Sequence, residues 1–88
     1  MSDADIARTG LAQAAAHFPG AEPTLRRLAL SQPKFRDLCE EYALARRSLA
    51  GLEALPDAAE RSEIGDYHTV IAELEIEIGR YLAEAGEG

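Results

Sequence analysis

Three glutamates in the segment ELEIE, at positions 73, 75 and 77, are the residues whose type and spacing most suggest chemistry. Carboxylates that face one another can form an acid–base pair or bind a cation. On a helix Glu73 and Glu77 share a face while Glu75 points elsewhere, and no histidine, aspartate cluster or glycine-rich loop joins them. The pattern is therefore typical of a solvated acidic face. The alternative is a docking surface, made by Glu73, Glu77 and Glu84, for a protein partner with a basic surface.

The two histidines and the single cysteine lack the partners that catalysis or metal binding needs. A metal pair on a helix would need a second ligand three or four residues from His68. Those positions hold Ile64, Gly65, Ile71 and Ala72. His17 has no partner visible in the sequence, and Cys39, with Arg36 three residues before it but Glu40 beside it, is predicted to be a small apolar filler. We therefore expect no catalytic, cofactor-binding or metal-binding residue and no enzyme activity.

The charge of the chain is acidic and uneven. Its formal net charge is −7, which repels phosphate backbones at long range. The pairs Arg26/Arg27 and Arg46/Arg47 could contact phosphate, but a nucleic-acid site usually has a broader basic surface. Between Asp57 and Ala85 eight acidic residues face two arginines. We therefore expect no general nucleic-acid binding.

Length and composition allow one small domain. The chain has 88 residues, of which 47% are hydrophobic, but many of these are alanines that bury little area. A lone monomer of this kind has a small core, and oligomerisation is the usual remedy where disulfides and metals are missing. One cysteine fits a reducing, cytoplasmic setting. The sequence predicts no secretory signal and no segment with the roughly 20 apolar residues that span a membrane.

Two long helices with matching apolar stripes are the elements that would position these residues. Each stripe is spaced 3, 4, 3, 4, 3 along the sequence, which is the period of a helix and not of a strand. The first contains Phe35, Leu38, Tyr42, Ala45, Leu49 and Leu52, and the second contains Ile64, Tyr67, Ile71, Leu74, Ile78 and Tyr81. The spacing predicts an all-α fold: an antiparallel two-helix hairpin, about 33–55 and 57–85, with a heptad seam.

Residue types at the helix ends set the predicted boundaries. Ser31 is the predicted N-cap of the first helix, with Pro33 in its first turn. Pro56 is expected to end that helix in a tight Pro-Asp connection. Asp57 is then expected to cap the next helix, with Glu60 reaching back as in a capping box.

The N-terminal segment, residues 1–21, is predicted to be helical or disordered, and residues 22–88 to form the single hairpin domain. Gly10 is expected to interrupt a helix in this segment. The sequence FPGAEP predicts a turn, because it holds two prolines and a glycine. One or two helical turns are expected at 24–30.

Several apolar residues lie outside the seam and need a cover: Leu44, Leu55, Val70, Ile76 and Leu82. A second chain could supply it, and a homodimer in which two hairpins form a four-helix bundle is the favoured prediction. The alternative is a monomer capped by its own N-terminal segment. Gly65, Ala72 and Gly79 fall seven residues apart and suggest either close helix approach between chains or tolerated surface positions.

A resemblance to a known family covers residues 25–84. The chain resembles the YdcH-like family of small bacterial proteins in its Pro-x-Phe-x-x-Leu opening, in the acidic pair before an aromatic residue, and in a Leu-x-x-Glu-Ile pattern near the end. The matching residues are Pro33, Phe35, Leu38, Glu40, Glu41, Tyr42, Leu49, Leu52, Glu53, Leu74, Glu77, Ile78 and Leu82. The chain departs from the family at Ala45 and Arg46 and in its acidic second helix. The resemblance implies a helical hairpin and no particular activity.

The expected function is a small non-enzymatic module for protein–protein interaction. In this interpretation the hairpin dimerises through its leftover apolar surface and presents the acidic last helix to another protein. The alternative is an acidic regulator associated with nucleic acid or with a nucleic-acid-binding protein. Replacing Leu49 with aspartate should unfold the hairpin, because it would bury an unpaired charge.

Overall fold

The computed structural model describes residues 3–86, and that part of the chain is helical, with no strand. Four α-helices follow one another: α1 (Asp3–His17), α2 (Glu22–Ser31), α3 (Pro33–Glu53) and α4 (Ser62–Gly86). A short 3-10 turn, Ala58–Glu60, lies between α3 and α4. The all-α class predicted from the two stripes is confirmed.

Helix α1 shows that the N-terminal segment is helical over residues 3–17 and that the expected interruption at Gly10 was wrong. Gly10 is buried inside the helix, where a Cβ atom would lie 2.7 Å from the carbonyl carbon of Cys39 on α3. The glycine therefore permits close approach of α1 to the backbone of α3. Buried Ala7 and Ala14 lie three residues before and four residues after it, on the same side of α1.

The turn predicted at FPGAEP is present, and it separates α1 from α2 at residues 18–21. Gly20 has a φ of +87°, a conformation that side chains other than glycine rarely adopt. Pro23 lies in the first turn of α2, where its missing N–H costs nothing. Helix α2 contributes Leu25, Leu28 and Ala29 to the core, so the expected short helical turns form a complete helix.

The predicted cap at Ser31 was wrong. Ser31 is the last residue of α2, and its hydroxyl donates a hydrogen bond to the carbonyl oxygen of Arg27 at 2.8 Å. Gln32 is extended (φ −130°, ψ 105°) and occupies the N-cap position of α3 instead. A residue that precedes proline avoids the α conformation, so the break falls directly before Pro33.

The connection between α3 and α4 is longer than predicted. Helix α3 ends at Glu53, two residues before the expected end near 55, whereas α4 begins at Ser62, so the expected start at 57 was wrong. Asp57 makes no capping hydrogen bond; its carboxylate accepts one from Nε of Arg61 at 3.2 Å. Arg61 is extended (φ −95°, ψ 110°) and separates the 3-10 turn from α4. The chain thus reverses through residues 54–61 and not through a tight Pro-Asp step.

Helices α3 and α4 lie side by side and run in opposite directions. Near one end the rings of Phe35 and Tyr81 meet edge to face at 5.0 Å. In the middle the Tyr42 hydroxyl contacts Glu75, and towards the connection Glu53 lies 3.6 Å from His68. The core is densest where α1 and α2 cover this pair, and it contains Ala14, Leu25, Leu28, Ala29, Phe35, Leu38, Cys39, Tyr42, Ala45, Ile71, Leu74 and Ile78.

The predicted stripes are buried unequally along their length. Phe35, Tyr42 and Ile78 are completely buried. Leu49, Tyr67 and their neighbours nearer the connection, Leu52 and Ile64, are only half-buried. The difference arises because α1 ends at His17, level with the middle of α3 and α4, and covers nothing beyond that point.

Candidate interaction surfaces

A polar cluster marks the place where α1 ends against α4. The hydroxyl of buried Tyr42 donates a hydrogen bond to the Glu75 carboxylate at 2.7 Å. Nδ1 of His17 lies 3.4 Å from the same carboxylate, and the Arg46 guanidinium lies over the Tyr42 ring at 5.6 Å and 4.0 Å from Glu75. Burial and the hydrogen bond to Glu75 raise the pKa of Tyr42 to about 12. This cluster joins three helices through one carboxylate that is 18% exposed.

Beyond the polar cluster, α3 and α4 leave a groove of about 520 Å³ that we call the tip groove. Its lining is Arg46, Leu49, Ala50, Glu53, His68, Ile71, Ala72 and Glu75. Nε2 of His68 lies 3.6 Å from Glu53 across the groove, and both side chains are more than half exposed. The His68–Glu53 pair is therefore a weak surface contact that contributes little to stability.

A second surface, the open face, lies between α3 and α4 away from α1. It is lined by Lys34, Leu38, Glu41, Leu44, Ala45, Ser48, Tyr67, Val70, Leu74, Glu77 and Tyr81. Leu44 is 45% exposed and Val70 is 42% exposed. Glu41 and Glu77 line it together with a single basic residue, Lys34. The open face therefore combines exposed apolar side chains with two acidic residues and one basic residue.

A third surface, the arginine groove, lies between α1, α2 and the first turns of α3. Its volume is about 410 Å³, and its lining is Ala7, Arg8, Leu11, Arg26, Ala29, Leu30, Arg36 and Cys39. Leu30 is 86% exposed, the highest exposure among the large apolar side chains of residues 5–86. The lining of the groove thus contains three arginines and no acidic residue, and its other residues are apolar.

The acidic residues chosen from the sequence lie on the outer side of α4. Glu73, Glu77 and Glu84 are exposed, while Glu75 is half-buried and points elsewhere, as the helical spacing predicted. Glu77 also borders the open face. Glu73 lies three residues after Val70, and Arg47 lies three residues after Leu44, so one acidic and one basic residue lie a helical turn from the exposed apolar side chains.

The three small residues at heptad spacing face different surroundings. A Cβ atom at Gly79 would lie 3.7 Å from the ring of Phe18 of the same chain. Ala72 lines the tip groove, and Gly65 is exposed with open space around it. Of the apolar residues left outside the seam, Leu82 packs against the core, whereas Leu44, Leu55, Val70 and Ile76 remain exposed.

Cys39 is completely buried and its backbone lies against Gly10. Burial, and to a smaller extent the Glu40 carboxylate, raises the pKa of the thiol to about 12. A thiol in this setting is a poor nucleophile at neutral pH because almost none of it is thiolate.

Sequence reasoning missed the polar cluster and the arginine groove. Tyr42 and Glu75 are 33 positions apart, and His17 is still further from Glu75 in the sequence, so no local spacing connects them. Glu75 could have been singled out, because it lies one helical turn from both Ile71 and Ile78, on the buried side of the stripe. The arginine groove depends on the docking of α1, which the sequence left open.

Among residues 3–86 no cluster of three or more histidine, cysteine, aspartate or glutamate side chains could hold a metal ion. None of the helices described here has the length and apolar character needed to cross a lipid bilayer. Comparisons of the chain with protein-family models, with curated proteins and with solved structures gave no match.

Proposed function

We propose that this chain is a non-enzymatic helical interaction module that associates with a second copy of itself through the open face. The α3–α4 hairpin, of the kind implied by the YdcH-like resemblance, is the framework, and α1 and α2 cover only part of it. A surface of the second copy would cover the open face, either the same face, as in a four-helix bundle, or a different one.

The observation that carries this proposal is the exposure of Leu44 and Val70 on one strip. Leu44 lies five residues after Cys39, and Val70 lies five residues before Glu75, so each is roughly 140° around its helix from a residue that α1 touches. The chain's own N-terminal helix therefore covers the other side of the hairpin. Adjacent exposed apolar side chains in a small domain are typical of an association surface.

Sedimentation velocity over a range of concentrations tests the proposal with the variant Val70→Gln. Val70 is 42% exposed, so burying the rest of its side chain on association stabilises a complex by about 1 kcal/mol, and its loss should raise the dissociation constant roughly 5-fold. Leu44→Gln should act in the same direction. Ile76→Gln is the matched control, because Ile76 lies on the same helix and is 58% exposed but does not line the open face.

The control variant should associate like the wild type. If all three variants and the wild type sediment identically, the open face is not the association surface. Far-ultraviolet circular dichroism establishes that each variant keeps its helices, which is expected because the replaced side chains are already substantially exposed.

A further inference from the structure

We infer that the open face docks into the arginine groove of a second copy, so that the chain associates head to tail. This inference rests on the proposed function, because it names the surface that the open face contacts. The two surfaces are different patches of one molecule, and the contact between them is heterologous.

Charge is the first reason for choosing this partner surface. The charged residues that line the open face are Glu41 and Glu77 against a single lysine, Lys34. Pairing two open faces would bring these carboxylates of both copies together, which is unfavourable. The lining of the arginine groove holds Arg8, Arg26 and Arg36 and no acidic residue. Asp5 and Glu22 lie beside two of these arginines, and the surface still has an excess of positive charge to offer to the open face.

The apolar parts of the two surfaces also complement one another. The open face presents Leu44 and Val70, each a little under half exposed, and the arginine groove presents Leu30 at 86% exposure above Leu11 and Ala29. Each surface thus combines exposed apolar side chains with charged ones, as protein interfaces do. Docking would bury Leu30, which the other residues between 3 and 86 of its own chain leave exposed.

The arginines can exchange their present ion-pair partners for carboxylates of a second copy with little loss of stability. Arg26 pairs with Glu22 at 3.2 Å and Arg8 lies 4.0 Å from Asp5, but all four side chains are at least half exposed. Such pairs contribute little because water screens them. No ion pair of Arg36 is seen in the described part of the chain. Carboxylates of a second copy can therefore replace the present partners of these arginines.

The distribution of charge along the sequence agrees with head-to-tail docking. Residues 1–56, which form the arginine groove, hold seven acidic and seven basic residues, for a net charge of zero. Residues 57–88, which include α4, hold nine acidic and two basic residues, for a net charge of −7. The negative charge is therefore concentrated on α4, which supplies part of the open face, whereas the arginine groove is built from helices that together carry no net charge.

The test uses two single substitutions in the full chain, Leu30→Asp in the arginine groove and Val70→Asp on the open face. Each places a carboxylate where the opposing surface is expected to be apolar. Both positions are exposed enough for the helices to tolerate the change, which circular dichroism checks. Each variant alone should remain monomeric in sedimentation velocity, whereas the wild type should increase in mass with concentration and grow past the dimer unless a ring closes.

Mixing the two variants gives the decisive result. Leu30→Asp retains an intact open face and Val70→Asp retains an intact arginine groove, so the equimolar mixture should form one 1:1 complex and nothing larger. Added salt should weaken that complex, because it screens the charges around the contact. Ile76→Asp is the control and should associate like the wild type.

Three other outcomes would overturn the inference. If Leu30→Asp dimerises like the wild type while Val70→Asp is monomeric and the mixture gains nothing, two open faces pair with each other and the proposed function alone survives. If both variants associate like the wild type, another surface is used and both proposals fail. If the wild type stays monomeric up to about 1 mM, the chain does not associate with itself at a useful affinity and both proposals fail.

Discussion

Replacing Gly10 with alanine is the sharpest test of how α1 is held against α3. The new Cβ atom would lie 2.7 Å from the Cys39 carbonyl carbon and nearer still to its oxygen, and these are backbone atoms that cannot rotate away. Either α1 must move outwards or it must lose contact with α3. Overpacking of this kind costs about 1–3 kcal/mol.

Helix propensity acts in the opposite direction at the same position. Alanine is favoured over glycine inside a helix by roughly 1 kcal/mol. Because the contact is with backbone atoms, the upper part of the overpacking range applies, about 2–3 kcal/mol. The net loss for Gly10→Ala should therefore be about 1–2 kcal/mol, which for a domain of this size lowers the melting temperature by about 5–15 °C. Gly65→Ala is the matched control: Gly65 lies within α4 with nothing within 4 Å of its added Cβ atom, so only the gain in propensity applies.

Thermal unfolding followed by circular dichroism, with urea unfolding as a second measure, compares the two variants. Gly65→Ala should melt about 4–8 °C above the wild type, and Gly10→Ala should melt below it. If Gly10→Ala were stabilised as much as Gly65→Ala, α1 would not approach the α3 backbone as described, and the buried stripe of Ala7, Gly10 and Ala14 would have no packing role.

Three further variants and probes test other contacts. The pKa of Tyr42 in the folded chain, about 12, lies above its ordinary value of 10.0. The Tyr42 hydroxyl therefore contributes its full stabilisation below pH 10 and loses it as the pH rises towards 12. Between pH 9 and 12 the melting temperature of the wild type should fall more steeply than that of Tyr42→Phe. The buried Cys39 thiol should react with a disulfide reagent at neutral pH only when α1 separates from α3. Gly10→Ala should therefore speed the reaction severalfold. Equal reaction rates in the wild type and Gly10→Ala would contradict the role of α1 in covering Cys39. The sequence predicts that Leu49→Asp unfolds the hairpin, but Leu49 is only half-buried, so the variant should instead lose about 2 kcal/mol in urea unfolding and keep its helices. The same change at completely buried Phe35 should unfold the chain. Wild-type stability of Leu49→Asp would contradict the α3–α4 contact at that turn.

The parts of the fold that the sequence predicted are those governed by local periodicity. Phe35, Tyr42 and Ile78 repeat at helical spacing and are completely buried. The helix ends were predicted less well, because several residues compete for each boundary. Ser31 has the right side chain for a cap, but the constraint that Pro33 places on Gln32 decides where the helix begins.

The parts that could not be predicted depend on contacts between distant segments. Gly10 looks like a helix breaker in isolation, and only the Cys39 backbone lying against it explains why glycine is needed there. Glu75 looks like one of several surface acids, and only the hydroxyl of Tyr42 and the ring of His17 distinguish it. Both contacts require the position of α1, which the apolar pattern of residues 3–17 does not fix.

The docking of α1 and the proposed self-association are linked by their shared residues. Helix α1 supplies Ala7, Arg8 and Leu11 to the arginine groove, so the groove exists only while α1 is in place. A partner that binds only the docked form must stabilise it by mass action. The reaction rate of Cys39 in the wild type should therefore fall as protein concentration rises, and it should not depend on concentration in Leu30→Asp. A rate that is independent of concentration in the wild type, under conditions where the chain associates, would mean that the contact does not involve α1 and that the groove is not its partner surface.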